Sequence, residues 1–151
     1  MQKQVEQYGV FQIEVQGKTE GNPYLEYEVA GTFTHGEESR TVKGFYDGEG
    51  RYIVRFMPEV PGKYTFRIFG SCMEDITEGS FDVHPAAKDN HGPVKAVGEH
   101  LFYTDGTPYY SIGTTCYVYP QQTEQLQEET LRTLENSAIN KIRFCVFPKH
   151  Y

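Results

Sequence analysis

The sequence contains no tryptophan and only three cysteines, Cys72, Cys116 and Cys145. The cysteines are widely spaced, with no Cys-x-x-Cys pair and no histidine at zinc-ligand spacing. That excludes a disulfide-dense scaffold and a zinc site of the usual pattern. Three reduced thiols in a cytosolic chain is the expectation; one disulfide plus a free thiol is the alternative. Basic runs are also missing. Fourteen Lys and Arg stand against 21 Asp and Glu, for a net charge of −7. Nucleic acid and anionic membranes are therefore not expected as partners, since both call for concentrated positive charge. No apolar run approaches the roughly 20 residues of a membrane span. The opening Met1–Gln7 lacks the apolar stretch of a signal peptide, so a cytoplasmic location is expected. A secreted chain whose leader had been removed would read the same. His35, His84, His91 and His100 are isolated on turns or on a linker, without ligand spacing. No metal and no cofactor is expected.

Aromatics, by contrast, are abundant at 15%, with 12 Tyr and 10 Phe. Both favour pleated, half-buried surfaces. The first 84 residues read as strand after strand: Val10–Val15, Leu25–Phe33, Thr41–Tyr46, Tyr52–Met57, Tyr64–Phe69 and Gly79–Val83. Phe11, Ile13 and Val15 alternate with Gln12 and Glu14; Tyr64, Phe66 and Ile68 alternate with Thr65 and Arg67. Turn signals separate the runs at His35-Gly36, Asp47–Gly50 and Pro61-Gly62. Short strands at this spacing predict an antiparallel sandwich. Tyr64, at a turn into a late strand, resembles the tyrosine corner of immunoglobulin-like sandwiches. The other reading of Tyr64 is a large core residue.

The texture changes after Val83. His84–Pro93 is rich in Pro, Gly and Asn, and the domain boundary is expected near Pro85. Asp105-Gly106 between aromatic runs predicts a hairpin. Ser111–Tyr117 reads as a small-residue strand. Thr123 is a candidate N-cap with Glu124 in the first turn. Leu126, Thr130, Leu134 and Ala138 recur every four residues, so an amphipathic helix is expected over Thr123–Ile139, closed by Asn140 in the left-handed conformation. Ile142–Phe147 reads as an apolar strand covered on both faces. Strand, helix and strand make a βαβ unit with a right-handed crossover. Both strands then end on one edge, which brings Thr115–Tyr119 beside Phe147–Tyr151. In α/β sheets and barrels that edge binds ligands.

Several motifs carry a family resemblance. Gly21-Asn22-Pro23, Phe33–Gly36, Gly44–Gly48, Tyr52–Pro58 and Pro61–Tyr64 resemble the immunoglobulin-like domains of the DUF5060 family. Such domains precede glycoside hydrolase barrels in bacteria. Asn90–Val94, Asp105–Pro108, Gly113-Thr114-Thr115 and Phe147–Tyr151 resemble the opening of the barrel that follows, of the DUF4038 (apiosidase-like) group. The resemblance implies a mainly β chain: an immunoglobulin-like β-sandwich over residues 1–85, then a connector, a hairpin and the first βαβ of a (β/α)8 barrel over 86–151. Such a barrel needs about 250 residues, and the roughly 65 after the boundary cannot close one. A fragment is therefore expected.

Glycosidases usually use two carboxyl groups flanking the scissile bond. Neither Thr114–Tyr119 nor Phe147–Tyr151 holds an acid, so no catalytic residue is expected in this chain, which alone should be inactive. In barrels of the resembled kind the pair comes from later strands. Asp47, Glu49 and Asp105 read as turn residues; Glu124, Glu128 and Glu129 read as the solvated start of a helix. A glycan or oligosaccharide is the expected partner. The substrate-binding candidates are Thr115, Tyr117, Arg143, Phe147, Lys149, His150 and Tyr151, since hydroxyl-rich ligands need dense donors and aromatic faces. Arg143 reads either as an interior residue that orients a carboxylate or as a surface arginine. Cys116 and Cys145, on neighbouring predicted strands, read as buried free thiols. An unpaired apolar strand edge predicts self-association. The alternative function is a non-enzymatic carbohydrate-binding or protein-interaction sandwich.

Overall fold

The computed structural model describes residues 3–147. The chain is mainly β and divides into two compact units, one up to Pro93 and one from Val94 onward.

The first unit contains β1 (Gln4–Glu6), β2 (Phe11–Gln16), a one-turn helix α1 (Pro23–Glu26), β3 (Val29–His35), β4 (Glu38–Lys43), β5 (Phe45–Tyr46), β6 (Arg51–Phe56), β7 (Gly62–Gly70) and β8 (Thr77–His84). One sheet has the order β1-β8-β7-β3-β4 and the other β2-β6-β5. Pairing is antiparallel except for β1, which runs parallel to β8. The alternation seen in the sequence decides which side chains meet. Phe11, Ile13 and Val15 point inward from β2, and Tyr64, Phe66 and Ile68 from β7. Phe11 stacks on Phe81 of the opposite sheet at 3.6 Å, and Phe33 stacks on Phe56 at 4.2 Å. Each such side chain, fully buried, contributes about 1.5–3 kcal/mol. Tyr64 is buried, its ring stacked on Phe81 at 5.3 Å. Burial pushes its phenol above the ordinary tyrosine range.

Two expected strands are corrected. The run Leu25–Phe33 begins as α1, and its strand starts only at Val29. Pro23 suits a first helical turn, having a fixed φ and no N–H to leave unpaired. The Glu26 carboxylate closes that turn by accepting from the Asn22 N–H at 3.2 Å. The run Thr41–Tyr46 is broken at Gly44, where the chain leaves the larger sheet as β4 and joins the smaller one as β5. The Gly44 N–H donates to the Val29 carbonyl at 2.8 Å, and a Cβ at this position would collide with the Ile53 carbonyl oxygen.

The second unit contains β9 (Val94–Val97), β10 (His100–Tyr103), β11 (Gly113–Thr115), α2 (Glu124–Glu135) and β12 (Lys141–Arg143). Antiparallel β9 and β10 form a hairpin that the sequence did not announce. The Asp105-Gly106 turn follows, with Gly106 at φ 91 and Asp105 Oδ1 accepting from the Thr107 N–H at 2.9 Å. It brings Pro108 back to bridge Phe102. Strands β11 and β12 are parallel with α2 between them in sequence. Thr123 caps α2 as expected, its hydroxyl accepting from the Leu126 N–H.

The helix is shorter than expected, ending at Glu135 with Asn136 as its C-cap. The Ser137 hydroxyl donates to the Leu134 carbonyl at 2.7 Å and takes the acceptor a further turn would need. Asn140 does not close the helix: the only described non-glycine residues at positive φ are Tyr8 and Glu49. The strand expected over Ile142–Phe147 is also short. Its apolar tail is open rather than covered on both faces, with Phe144 41%, Val146 73% and Phe147 82% exposed. Every buried hydrophobic among the described residues lies between Val5 and Val83, so the second unit has no closed core among those residues.

A candidate sugar-binding edge

The site expected from the βαβ pattern is built by β11 and β12. Gly113, Thr114 and Thr115 pair in register with Lys141, Ile142 and Arg143. Asn140 sets the start of this pairing. Its side-chain Oδ1 accepts from the Ile112 N–H at 3.0 Å, its Nδ2 donates to the Tyr110 carbonyl at 2.8 Å, and its own N–H donates to the Ile112 carbonyl at 2.9 Å. Contact continues past the strand ends. The Cys116 N–H donates to the Arg143 carbonyl, and the Cys145 N–H to the Tyr117 carbonyl, each at 2.9 Å. Gln121 Nε2 donates to the carbonyls of Cys145 and Val146 at 3.4 and 3.3 Å. The two C-terminal tips are thus tied side by side.

Ile142 shares a groove of about 380 Å³ with Leu131 and Leu134 of α2. Arg143, the next residue along the strand, projects to the opposite face. Its register partner Thr115 projects with it. Arg143 Nη2 donates to the Tyr117 hydroxyl at 3.1 Å, and its guanidinium lies 5.6 Å from the centre of the Tyr117 ring. Thr115, Tyr117 and Arg143 therefore form one exposed cluster. Phe147, the fourth residue after the strand, is 82% exposed. Lys149, His150 and Tyr151 lie outside the described residues. The cluster offers a hydroxyl, a cationic fork and an aromatic ring. These are binding groups; no carboxyl group stands among them. No group of three or more His, Cys, Asp or Glu able to hold a metal occurs among the described residues.

The thiols differ in setting. All three cysteines are unpaired. Cys72 is fully buried in the first unit, and burial pushes its thiol above the ordinary cysteine range. Cys116 and Cys145 are half-buried beside the candidate edge.

The sequence reading missed the concavities of the first unit, among them a small one beside α1. It measures about 270 Å³, and its lining includes Tyr24, Tyr27, Lys43, Phe45 and Tyr46. The available signal was Pro23 ahead of two large apolar residues. A strand assignment to Leu25–Phe33 hid it, since it put Leu25 in a strand instead of a helical turn.

Residues 4–70 match the family DUF5060, a domain of unknown function. The DUF5060 match runs from β1 to the end of β7 and leaves β8 outside. A crystal structure of a candidate glycoside hydrolase from Bacteroides vulgatus is similar over 99% of this chain, at 43% identity and a TM-score of 0.91. This chain spans 30% of the length of that one. No curated protein matches the sequence. No helix among the described residues is long and apolar enough to cross a membrane.

Proposed function

We propose that this chain is the N-terminal part of a glycoside hydrolase. Its first unit is an immunoglobulin-like accessory sandwich, and its second is the opening βαβ of a (β/α)8 barrel of the DUF4038 (apiosidase-like) kind. The observation that carries the reading is the 43% identity, over 99% of this chain, to a candidate glycoside hydrolase. Two features support it. The second unit leaves its apolar residues uncovered, as the first elements of a larger layered domain would. Its strand tips gather Thr115, Tyr117 and Arg143 at the edge where barrels bind ligands.

In this reading the domains are residues 1–85 and 86–151, and the edge is one wall of a glycan site. Arg143 and Thr115 hydrogen-bond sugar hydroxyls, and Tyr117 and Phe147 pack on the C–H faces of a ring. Lys149, His150 and Tyr151, outside the described residues, complete the proposed set of sugar-binding residues. The carboxyl pair that cleaves the bond comes from elsewhere in the parent barrel. The chain works without a cofactor, and its three unpaired thiols fit a reducing compartment such as the cytoplasm.

Three measurements test this. The purified 151-residue chain should not turn over aryl glycosides; turnover would place the catalytic acids within it and refute the reading. In the parent enzyme, Arg143→Ala should lower kcat/KM by about tenfold or more, the loss of one charge-assisted hydrogen bond. An unchanged kcat/KM would remove Arg143 from the sugar site. The uncovered strand edge also predicts that the isolated chain self-associates. Light scattering at rising concentration should show this, and a strict monomer would contradict it.

A further inference from the structure

We propose that the first unit carries a glycan pocket of its own, built around the rings of Tyr24 and Tyr46 and rimmed by the Glu28–Lys43 pair. This goes beyond the barrel edge and involves none of its residues.

The pocket begins with a local irregularity. Helix α1 is a single turn that lies against β5. It presents Tyr24 at 69% and Leu25 at 82% exposure, although both side chains are large and apolar. Exposed apolar groups clustered beside a concavity mark a binding surface more often than a packing accident. The turn is held in place from both ends. Pro23 fixes its start, and the Glu26 carboxylate accepts from the Asn22 N–H. Tyr24 stands edge-on to Tyr46, 4.9 Å between ring centres at 86°, so the two rings make a corner. The corner is stiff beneath. Tyr46 packs on buried Tyr52 at 5.0 Å, and its hydroxyl accepts from the Gly50 N–H at 3.1 Å. Tyr52 donates its own hydroxyl to the Lys18 carbonyl at 2.7 Å.

The chemistry of the lining selects the ligand. The volume, about 270 Å³, lies just under the roughly 300 Å³ at which drug-sized pockets begin. That suits one or two sugar rings and not a helix. Lys43 Nζ lies 3.2 Å from Glu28 Oε1, so the charged rim is neutral overall and offers both a donor and an acceptor. A neutral polyol matches such a rim; a phosphate or an acidic sugar does not. Edge strand β5 spans only Phe45–Tyr46, too short to template an added peptide strand. Aromatic faces for C–H surfaces, with an acceptor and a donor at the rim for hydroxyls, are what a pyranose requires.

Titrating the ¹⁵N-labelled full chain with D-glucose, D-xylose, cellobiose and xylobiose, followed by amide shifts, tests the site. At least one sugar should move amides in 23–28 and 43–46, with a millimolar Kd. Tyr24→Ala should raise that Kd about tenfold, Tyr24→Phe should keep it, and Arg143→Ala should leave it unchanged. Because Tyr24 is exposed, the Ala variant is expected to fold, and its own amide spectrum checks this. No shift with any of the four sugars, or shifts that survive Tyr24→Ala, would overturn the proposal. Shifts centred on Thr115 and Arg143, and lost in Arg143→Ala, would refute this pocket while supporting the barrel-edge reading. Shifts at 23–28 with the apolar dye ANS but with none of the sugars would make the patch a protein-docking face and also overturn it.

Discussion

Asn140 grips Ile112 twice: its backbone N–H donates to the Ile112 carbonyl at 2.9 Å, and its side-chain Oδ1 accepts from the Ile112 N–H at 3.0 Å. A third bond, from its Nδ2 to the Tyr110 carbonyl, locks the amide orientation. One side chain thereby fixes the register that puts Thr115 opposite Arg143. Asn140→Ala should cost about 1 kcal/mol, because the orphaned groups are exposed and water can replace the lost partners. Faster hydrogen exchange at Ile112 and Thr115 would reveal it. Exchange unchanged from the parent chain would mean the strands set their own register.

Gly44→Ala should destabilise the first unit by about 1–3 kcal/mol or more. The added methyl would meet the Ile53 carbonyl and the side chains of Val29 and Val54, and none of these lies at a flexible tip. Urea unfolding followed by circular dichroism measures the change. The midpoint should fall while the slope stays the same.

Glu6 latches the first strand to the connector. Its carboxylate accepts from the Ala87 N–H and from Asn90 Nδ2, and these bonds, first Ala87 and then Asn90, hold its pKa below the usual glutamate value. A lowered folded pKa means the stabilisation is complete above the ordinary value of 4.5 and is lost as pH falls below it, through the folded pKa. Ala87 amide protection should therefore decline in acid. In Glu6→Gln the protection should be weaker and flat over the same range.

The thiols should label in a set order. Iodoacetamide at mildly alkaline pH should modify Cys116 and Cys145 while sparing Cys72, which is fully buried and has its pKa raised by that burial. Mass spectrometry of the peptides reads the result. Native-state labelling at Cys72 would show that the first unit opens locally near it.

Legibility in the sequence followed the length of a pattern. Strands β2 and β7 alternate over five or more residues, so their inner faces could be read directly. Strand β1 has only Val5 turned inward, and its partner lies on β8, far along the chain, so no local period reveals it. Gly44 hides a change of sheet inside one apolar run, because a sequence carries no mark for the carbonyl that forbids a Cβ. At the candidate edge, topology alone brings the tip Thr115–Tyr119 beside the end of the second strand, since a βαβ unit aligns its strand ends, but the pairing of Thr115 with Arg143 does not follow from it. The bond between Arg143 and Tyr117 needed coordinates. So did the edge-on pair of Tyr24 and Tyr46, because Tyr24 owes its position to one turn of helix where the sequence reads as a turn running into a strand.

The parallel pairing of β1 with β8 also fixes an order of assembly. Gln4 and Val5 find their partners at Asp82 and Val83, so the first strand made has no neighbour until the last strand of the unit exists. Closing a loop of that length is entropically slow, and synthesis delivers the chain N-terminus first. The sheet core of β3, β7 and β8 can form before then, but the seam cannot. On a ribosome β1 emerges well before β8, the strand it pairs with, and so is among the last strands of the unit to be placed.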